Sequence, residues 1–380
     1  MTTIATATGG PSGPPDQQGP ATGPSAAPAS EPEVRIRFGG ITGPGLTSLL
    51  GAAVGSFALC WLLYERLLPL SGAQGFLLSW YVLFLAMYWG IGRTQWDPRT
   101  VRENLARVVV CSAGLAVTAL IVDQVFFVGE MGEHAASHAN FYTQDMERTA
   151  SLSPITSGGA LAAVIGSLEQ LGLATLFAVP LGIATAVYLA EVGGRGARAV
   201  RTVVEAMTAL PSIVAGLFVL GVVILTLGLQ QSGFAASLAL TVMMMPIVTR
   251  ASEVVLRLVP GTLREASYAL GSSQWRTVWS VVLPTARRGL VTAVVLGMAR
   301  GVGETSPVLL TSGFTAQFNA NPFNDHQVSL PLFIWNYVRY PSSDMVARAF
   351  AAGLLLMFVV LVLFVTARLL AGRSYQGGSR

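Results

Sequence analysis

Apolar residues fill most of the chain in stretches long enough to cross a membrane. A helix needs about 20 predominantly apolar residues to cross roughly 30 Å of hydrocarbon. Eight stretches meet this requirement, and the fourth contains Pro180, which can tilt or kink its helix. They are 46–69, 75–92, 107–129, 160–190, 204–229, 233–250, 287–312 and 347–371. The pattern predicts an all-α polytopic membrane protein with about eight transmembrane helices.

Arginines mark the two sides of the membrane. When the N-terminus is placed in the cytoplasm, 18 of the 23 basic residues fall on the inner side and four on the outer side. Arg300 alone lies within a span. Short loops on the cytoplasmic side carry an excess of basic residues, so this asymmetry predicts a multi-pass protein of the cell membrane with both termini in the cytoplasm.

Composition agrees with a membrane protein and excludes several kinds of enzyme. Apolar residues make up 52% of the chain and charged residues 11%, against about 25% charged in an ordinary soluble domain. Every basic residue is Arg, and the missing Lys excludes a P-loop and a lysine Schiff base. Cys60 and Cys111 both lie in apolar runs, which argues against a disulfide framework and a cysteine-rich metal site.

The first 33 residues have a different composition, being rich in Gly, Pro, Ala, Ser and Thr with three acidic residues and no basic one. Such a segment cannot bury enough apolar surface to offset its ordering entropy, so we expect a disordered tail. It lacks the basic leader and apolar core of a signal peptide.

The longest predicted inner loop, 251–286, has a helical pattern of its own. Apolar positions around Leu263 and Leu270 fall near one helical face, Gly271 interrupts that helix, and Trp275 begins a second short one that Pro284 is expected to stop. Two short helices bent at a glycine would project from the membrane and let another protein approach closely. The alternative is an amphipathic linker lying on the lipid headgroups.

Two charges fall inside the seventh predicted span. Arg300 lies roughly 16 Å along a helix counted from Gly289, near the bilayer centre. A charge at that depth must face a cavity or a partner, and Glu304 follows at i+4, where it can pair with Arg300. In one interpretation the ion pair holds helices together. In the other, the planar guanidinium of Arg300 binds a passing oxyanion, and Glu304 pairs with Arg300 when no anion is bound.

Other polar residues allow two interpretations each. Arg250 ends the sixth span and can either snorkel to the interface or form a second cation along an anion path. Glu169 lies in the fourth span without an obvious partner. Glu133, His134 and His138 share an outer loop and are the one possible group of metal ligands, but we predict no metal site.

The inner loop resembles the EAA motif of ABC-transporter permeases. That motif is matched by Glu265, Ala266, Gly271, Leu283 and Pro284, with Ser267 in place of the third small residue. In the family this loop docks on a separate ATPase subunit. The resemblance therefore implies that the chain is a transport subunit and not an enzyme, and that a partner ATPase binds ATP and Mg.

The segment 299–311 is similar to the Arg-x-x-Gly-Glu-Thr-x-Pro segment of PstA-type permeases from phosphate ABC importers. Leu210–Phe218 and Leu330–Tyr337 resemble two other segments of that subunit. The resemblance implies a phosphate path that includes Arg250, Arg300 and Glu304, and we add Thr305 from the same motif. It also implies a homologous PstC-type permease, a PstB-type ATPase dimer and an extracytoplasmic PstS-type binding protein as partners, in contact with membrane lipid and without nucleic acid.

The resemblance implies a six-helix core of the type I importers with additions at the N-terminus. We expect a disordered cytoplasmic tail over 1–40, two additional transmembrane helices within 41–106, the permease domain over 107–371 and a cytoplasmic tail over 372–380. The family gives no role for the two additional helices or for Glu169.

Three rival functions remain at this point. A permease for sulfate or molybdate would use the same fold. An enzyme acting on a lipid phosphate would need a nucleophile or metal ligands beside Arg300, and the sequence offers neither. A membrane sensor would bind a signalling partner at 251–286 without moving any ligand.

Overall fold

A computed structural model of the chain describes residues 43–67 and 72–372, and within them the chain is helical, as predicted. Seven helices there are long and apolar enough to cross a membrane, or eight if one bent pair forms a single span. The predicted tail 1–40 and nearly all of 372–380 lie outside the described residues. The helices are α1 Gly43–Leu62, α2 Ala73–Gln95, α3 Pro98–Ala136, α4 Asn140–Thr143, α5 Leu161–Val187, α6 Arg195–Ala209, α7 Ser212–Val219, α8 Gly233–Arg257, α9 Gly261–Ala269, α10 Gln274–Thr277, α11 Leu283–Val302, α12 Ser306–Thr311, α13 Leu330–Tyr337 and α14 Ser343–Gly372.

The chain divides into two compact units, 1–114 and 115–380, whose boundary falls inside α3. In the first unit, α1 packs against α2 through aromatic side chains. The rings of Phe57 and Phe76 meet edge to face at 5.6 Å, and the indole N–H of Trp80 donates to the Ala53 carbonyl at 3.3 Å. These contacts satisfy the polar end of Trp80 inside an apolar hairpin.

The second unit is built around α5, α8 and α11, which approach closely because small residues line their interfaces. Gly182 of α5 and Gly297 of α11 both face Val248 of α8, and Gly301 faces Met244. A methyl group added at Gly297 would lie 2.6 Å from Val248 Cγ2. Small residues of this kind let transmembrane helices pack at short range, where dispersion is strongest.

The predicted fifth span, 204–229, is not one straight helix. It consists of α6 and of Ser212–Thr226, which meet at an angle of 106°. Leu210 adopts an extended conformation before Pro211, since proline disfavours helical geometry in the preceding residue and lacks an N–H. α6 therefore forms a separate amphipathic helix with buried Ala197 and Val204.

The predicted seventh span, 287–312, is also wrong at both ends. Helical structure runs continuously from Gln274 to Val302 through a π-helical stretch at Val278–Val282. Pro284 does not stop the helix: it is the second residue of α11 and follows directly on the π-helical stretch. α11 ends at Gly303, so Arg300 lies in its last turn, and α12 is a separate short helix.

Candidate functional site

The arginine and glutamate of the seventh span lie side by side. Arg300 Nη1 is 2.7 Å from Glu304 Oε1, with 55% of the arginine side chain exposed and 7% of the glutamate side chain. The end of α11 places both: Arg300 is in the last helical turn, and the chain turns at Gly303 so that Glu304 points inward. The pair thus presents an open guanidinium backed by a buried carboxylate.

Behind Glu304 lies a small cavity with both polar and apolar residues in its wall. The centre of a water-sized molecule can occupy about 10 Å³ of this cavity, which is enough space for a single water. It is lined by Ser167, Gln170, Leu171, Leu240, Gly301, Val302, Glu304, Val308, Ser329 and Pro331. Thr305, the fourth residue predicted for the path, is half-buried and accepts a hydrogen bond from the Leu309 N–H through its carbonyl.

Arg250 lies in a cluster of charges near the end of α8. It is 3.2 Å from Glu205 and 3.5 Å from Glu253, and 43% of its side chain is exposed. Glu253 is buried and also pairs with Arg201 at 2.8 Å and Arg257 at 2.7 Å. Three guanidinium groups therefore surround one buried carboxylate, which keeps that carboxylate compensated. Sequence reasoning passed over Glu253, although its spacing from Arg250 and Arg257 on one helix was a usable signal.

The antiparallel packing of α8 and α11 orders the two predicted path arginines. Gly301 faces Met244, Gly297 faces Val248 and Gly289 faces Val255. Arg300 is therefore level with the residues just after Met244, and Arg250 lies roughly 8 Å further along α8. Both side chains are about half exposed, 43% for Arg250 and 55% for Arg300.

The segment between α12 and α13, residues 312–329, covers the ends of α5 and α8 that lie away from Arg250. Gln327 is buried and donates to the carboxylate of Glu169 and to the Asn319 carbonyl, while Gln170 donates to the Gln327 carbonyl at 3.2 Å. Glu169 thus has a partner that lies 158 residues away in sequence. No local pattern could have indicated this pairing.

The loop that resembles the EAA motif forms two short helices, α9 and α10, with Gly271 between them at φ +78°. Helix α8 extends to Arg257 and α11 begins at Leu283, so the loop is shorter than 251–286. Glu265, Ala266 and Pro284 are exposed and Leu283 is half-buried. The Ser267 and Thr277 hydroxyls share a 2.8 Å hydrogen bond that joins α9 to the start of the next helix.

The rings of Trp275 and Trp279 meet edge to face on the exposed side of this loop, with their centroids 5.6 Å apart. Exposed Leu263, Tyr268 and Leu270 belong to the same loop. On the other side, two nitrogens of Arg264 donate hydrogen bonds to the carboxylate of Glu191, at 2.7 and 3.1 Å. The loop therefore has one firmly attached side and one open apolar side.

His134, in the last turn of α3, and His138, just after that helix, are not arranged around a metal ion. His138 Nδ1 lies 2.8 Å from the His134 carbonyl, and the two rings meet edge to face. Across residues 43–67 and 72–372, no three His, Cys, Asp or Glu side chains are grouped closely enough to hold a metal ion.

Comparison with known proteins places these features in a family. Residues 178–374 match the family of the "binding-protein-dependent transport system inner membrane component". The phosphate transport system permease protein PstA 1 of Mycobacterium tuberculosis (strain ATCC 25618 / H37Rv) is 40% identical over 263 residues, which are 69% of this chain and 85% of that protein. The phosphate transport system permease protein PstA of Yersinia pestis is 38% identical over 224 residues, 58% of this chain and 75% of the relative.

A solved structure shows the same fold at low sequence identity. The crystal structure of a bacterial alginate ABC transporter, in complex with an alginate pentasaccharide-bound periplasmic protein, contains a chain with a TM-score of 0.51 and 16% identity. The match covers 73% of this chain and 99% of that one. This likeness concerns the fold alone.

Proposed function

Because the chain belongs to the family of binding-protein-dependent transport system inner membrane components, and within it to the PstA-type permeases, we propose that it forms half of the translocation path of an ATP-driven phosphate importer. A homologous permease would supply the other half. A separate ATPase dimer, which binds ATP and Mg, would dock on the α9–α10 loop, and an extracytoplasmic phosphate-binding protein would deliver the anion to the opposite face.

The arrangement of Arg300 and Glu304 is the observation that carries this proposal. A half-exposed guanidinium offers two parallel N–H donors to an oxyanion. Its partner carboxylate is already in place at 2.7 Å, so the guanidinium is neutralised while no anion is bound. An arriving oxyanion would exchange with Glu304 and so bind weakly enough to leave again.

The carboxylate favours phosphate over sulfate for a chemical reason. At neutral pH phosphate keeps at least one proton and can donate a hydrogen bond, whereas sulfate is fully ionised. An ionised carboxylate only accepts hydrogen bonds, so Glu304 would attract the first anion and repel the second.

The path then continues toward Arg250, and the direction follows from the arginine distribution. We place the α9–α10 loop and both termini on the cytoplasmic side, as the positive-inside rule requires. Phosphate would pass from the α12–α13 segment to Arg300 and then roughly 8 Å along α8 to Arg250. The additional helices α1 and α2 lie in the first unit, and we assign no step to them.

Uptake measurements test the proposal directly. Vesicles that contain the assembled transporter should accumulate radiolabelled phosphate on addition of ATP, and excess sulfate or molybdate should compete poorly. The variant Arg300→Ala should lose at least 90% of uptake, about the tenfold expected from one charge-assisted contact. Arg93→Ala removes an arginine that stacks on Trp89 at 4.4 Å and serves as the control, which should keep uptake. Uptake that survives Arg300→Ala would instead favour a sensor.

A further inference from the structure

Two buried oxygen atoms near the candidate site lack hydrogen bonds. Oε1 of Glu304 is near Arg300 Nη1, but no N–H group is directed at it with the geometry of a hydrogen bond. Oγ of Ser329 is also buried and has no hydrogen-bond partner. A buried polar atom without a hydrogen bond is unfavourable, and native structures rarely contain two in one place.

Both atoms belong to residues that line the same cavity. Its size of about 10 Å³ corresponds to one water molecule, and its wall also includes the side chains of Ser167 and Gln170. A buried water normally makes about three hydrogen bonds to polar groups of this kind. The volume and the chemistry of the wall therefore agree on a single water.

The ordinary role of a serine at the position of Ser329 does not apply. Ser329 immediately precedes α13, where a serine usually caps the helix by accepting a hydrogen bond from a backbone N–H. Here its side chain makes no capping bond, and the nearby Leu330 N–H donates to Ser167 Oγ at 2.7 Å instead. The Ser329 hydroxyl is thus free to face the cavity.

We propose that Ser329 is a positioning residue for the transport path, acting through one bound water that joins its hydroxyl to the carboxylate of Glu304. The water fixes the carboxylate, and the carboxylate in turn fixes Arg300. Only the consequence for transport rests on the proposed function; the water site rests on the geometry of the cavity alone.

The same link attaches the α12–α13 segment to the ion pair. Gln327 and Ser329 are neighbours in that segment, and Gln327 is held by Gln170 and Glu169 of α5. A delivery protein that displaces the segment would remove the water's second partner from Glu304. Arg300 would then be released toward an arriving anion at the moment when that anion is delivered.

A density map of the assembled transporter in lipid nanodiscs, at a resolution that shows other buried waters, tests the site. Wild type should show a water within about 3.2 Å of both Glu304 Oε1 and Ser329 Oγ. Ser329→Ala should lose it, while the matched control Ser312→Ala, which removes another buried hydroxyl of the same segment that bonds to the Val308 carbonyl, should keep it. The proposal is overturned by a wild-type map without this water, by a direct Ser329–Glu304 hydrogen bond, or by a water that persists unchanged in Ser329→Ala.

A functional measurement separates positioning from a merely structural role. ATP hydrolysis without binding protein should rise about fivefold in Ser329→Ala, because Glu304 is already released, as expected for the loss of one water-mediated bond to a charged group. Ser329→Thr retains the hydroxyl and should restore the low rate, and Ser312→Ala should match wild type. Equal rates in Ser329→Ala and Ser312→Ala would overturn the positioning role. If the water is present but phosphate is not transported, the proposed function fails and the water site stands.

Discussion

Arg264 and Glu191 are joined by two hydrogen bonds, from Nη2 to Oε1 at 2.7 Å and from Nε to Oε2 at 3.1 Å. Arg264 also donates to the carbonyls of Leu256 and Val259, at 2.9 and 2.6 Å. One guanidinium thereby connects α9, the end of α8 and the π-helical turn Tyr188–Val192 that follows α5 and contains Glu191. These hydrogen bonds hold the α9–α10 loop against the ends of α5 and α8.

Replacing Arg264 should separate the loop from the helices. Arg264→Gln cannot reproduce the paired geometry and leaves Glu191 as an uncompensated buried charge, so we expect a loss of about 2–3 kcal/mol in stability. Thermal unfolding of the complex in detergent should show the decrease. Arg276→Gln removes an exposed arginine of the same loop and should change the midpoint little. Equal effects of the two variants would contradict a special role for Arg264.

Gly271 should not tolerate a side chain. Its φ of +78° lies in the left-handed region, which costs about 1–2 kcal/mol for other residues, so Gly271→Ala should shift the angle between α9 and α10. We expect weaker co-purification with the ATPase subunit and reduced uptake. Gly261→Ala is the control, because that glycine has no positive φ and a methyl group there meets nothing within 4 Å. Attachment and uptake that survive Gly271→Ala would refute the docking role of this loop.

The charge of Glu304 should determine which oxyanions pass. Glu304→Gln preserves shape but removes the negative charge, so inhibition of phosphate uptake by sulfate should become stronger by roughly tenfold. Competition curves in vesicles measure the change. The exchanged pair Arg300→Glu with Glu304→Arg retains an ion pair and should still fail to transport. Normal uptake by the exchanged pair would mean that the pair only fastens helices together.

Gly166 of α5 seats the α12–α13 segment and should be sensitive to size. A methyl group at Gly166 would lie 2.1 Å from the Val328 carbonyl oxygen, which belongs to backbone and cannot rotate away. Overpacking of this kind costs about 1–3 kcal/mol, so Gly166→Ala should lower the unfolding midpoint and lift the segment. Gly172→Ala lies on the same helix, where a methyl group meets nothing within 4 Å. A midpoint unchanged in both variants would argue against the close packing.

Removing the charge of Glu253 should destabilise the cluster around it. Glu253→Gln leaves Arg201, Arg250 and Arg257 without their shared charged partner, and because these arginines are partly exposed we expect a loss of about 1–2 kcal/mol. Limited proteolysis near α6 should become faster. Glu205→Gln alters an exposed partner of Arg250 alone and should have a smaller effect. A stable Glu253→Gln variant would show that the three arginines find other partners.

The sequence by itself determined the class of protein and the chemistry at its site. Long apolar stretches and scarce charges require transmembrane helices, because a helix satisfies its own backbone hydrogen bonds in lipid. The pairing of Arg300 with Glu304 followed from their spacing, and the turn at Gly271 from its residue type. These features depend on neighbours in sequence, so a local pattern is enough to predict them.

Tertiary structure decided whatever depends on residues far apart in the chain. The break between α6 and Ser212–Thr226 needs a proline and also the packing that favours a bend over a continuous helix. Glu169 pairs with Gln327, and Glu253 pairs with Arg201, only when distant helices are brought together. The same is true of Ser329, which lines the cavity beside Glu304. Buried polar groups take whichever partners the packing leaves within reach, and no single stretch of sequence specifies those partners.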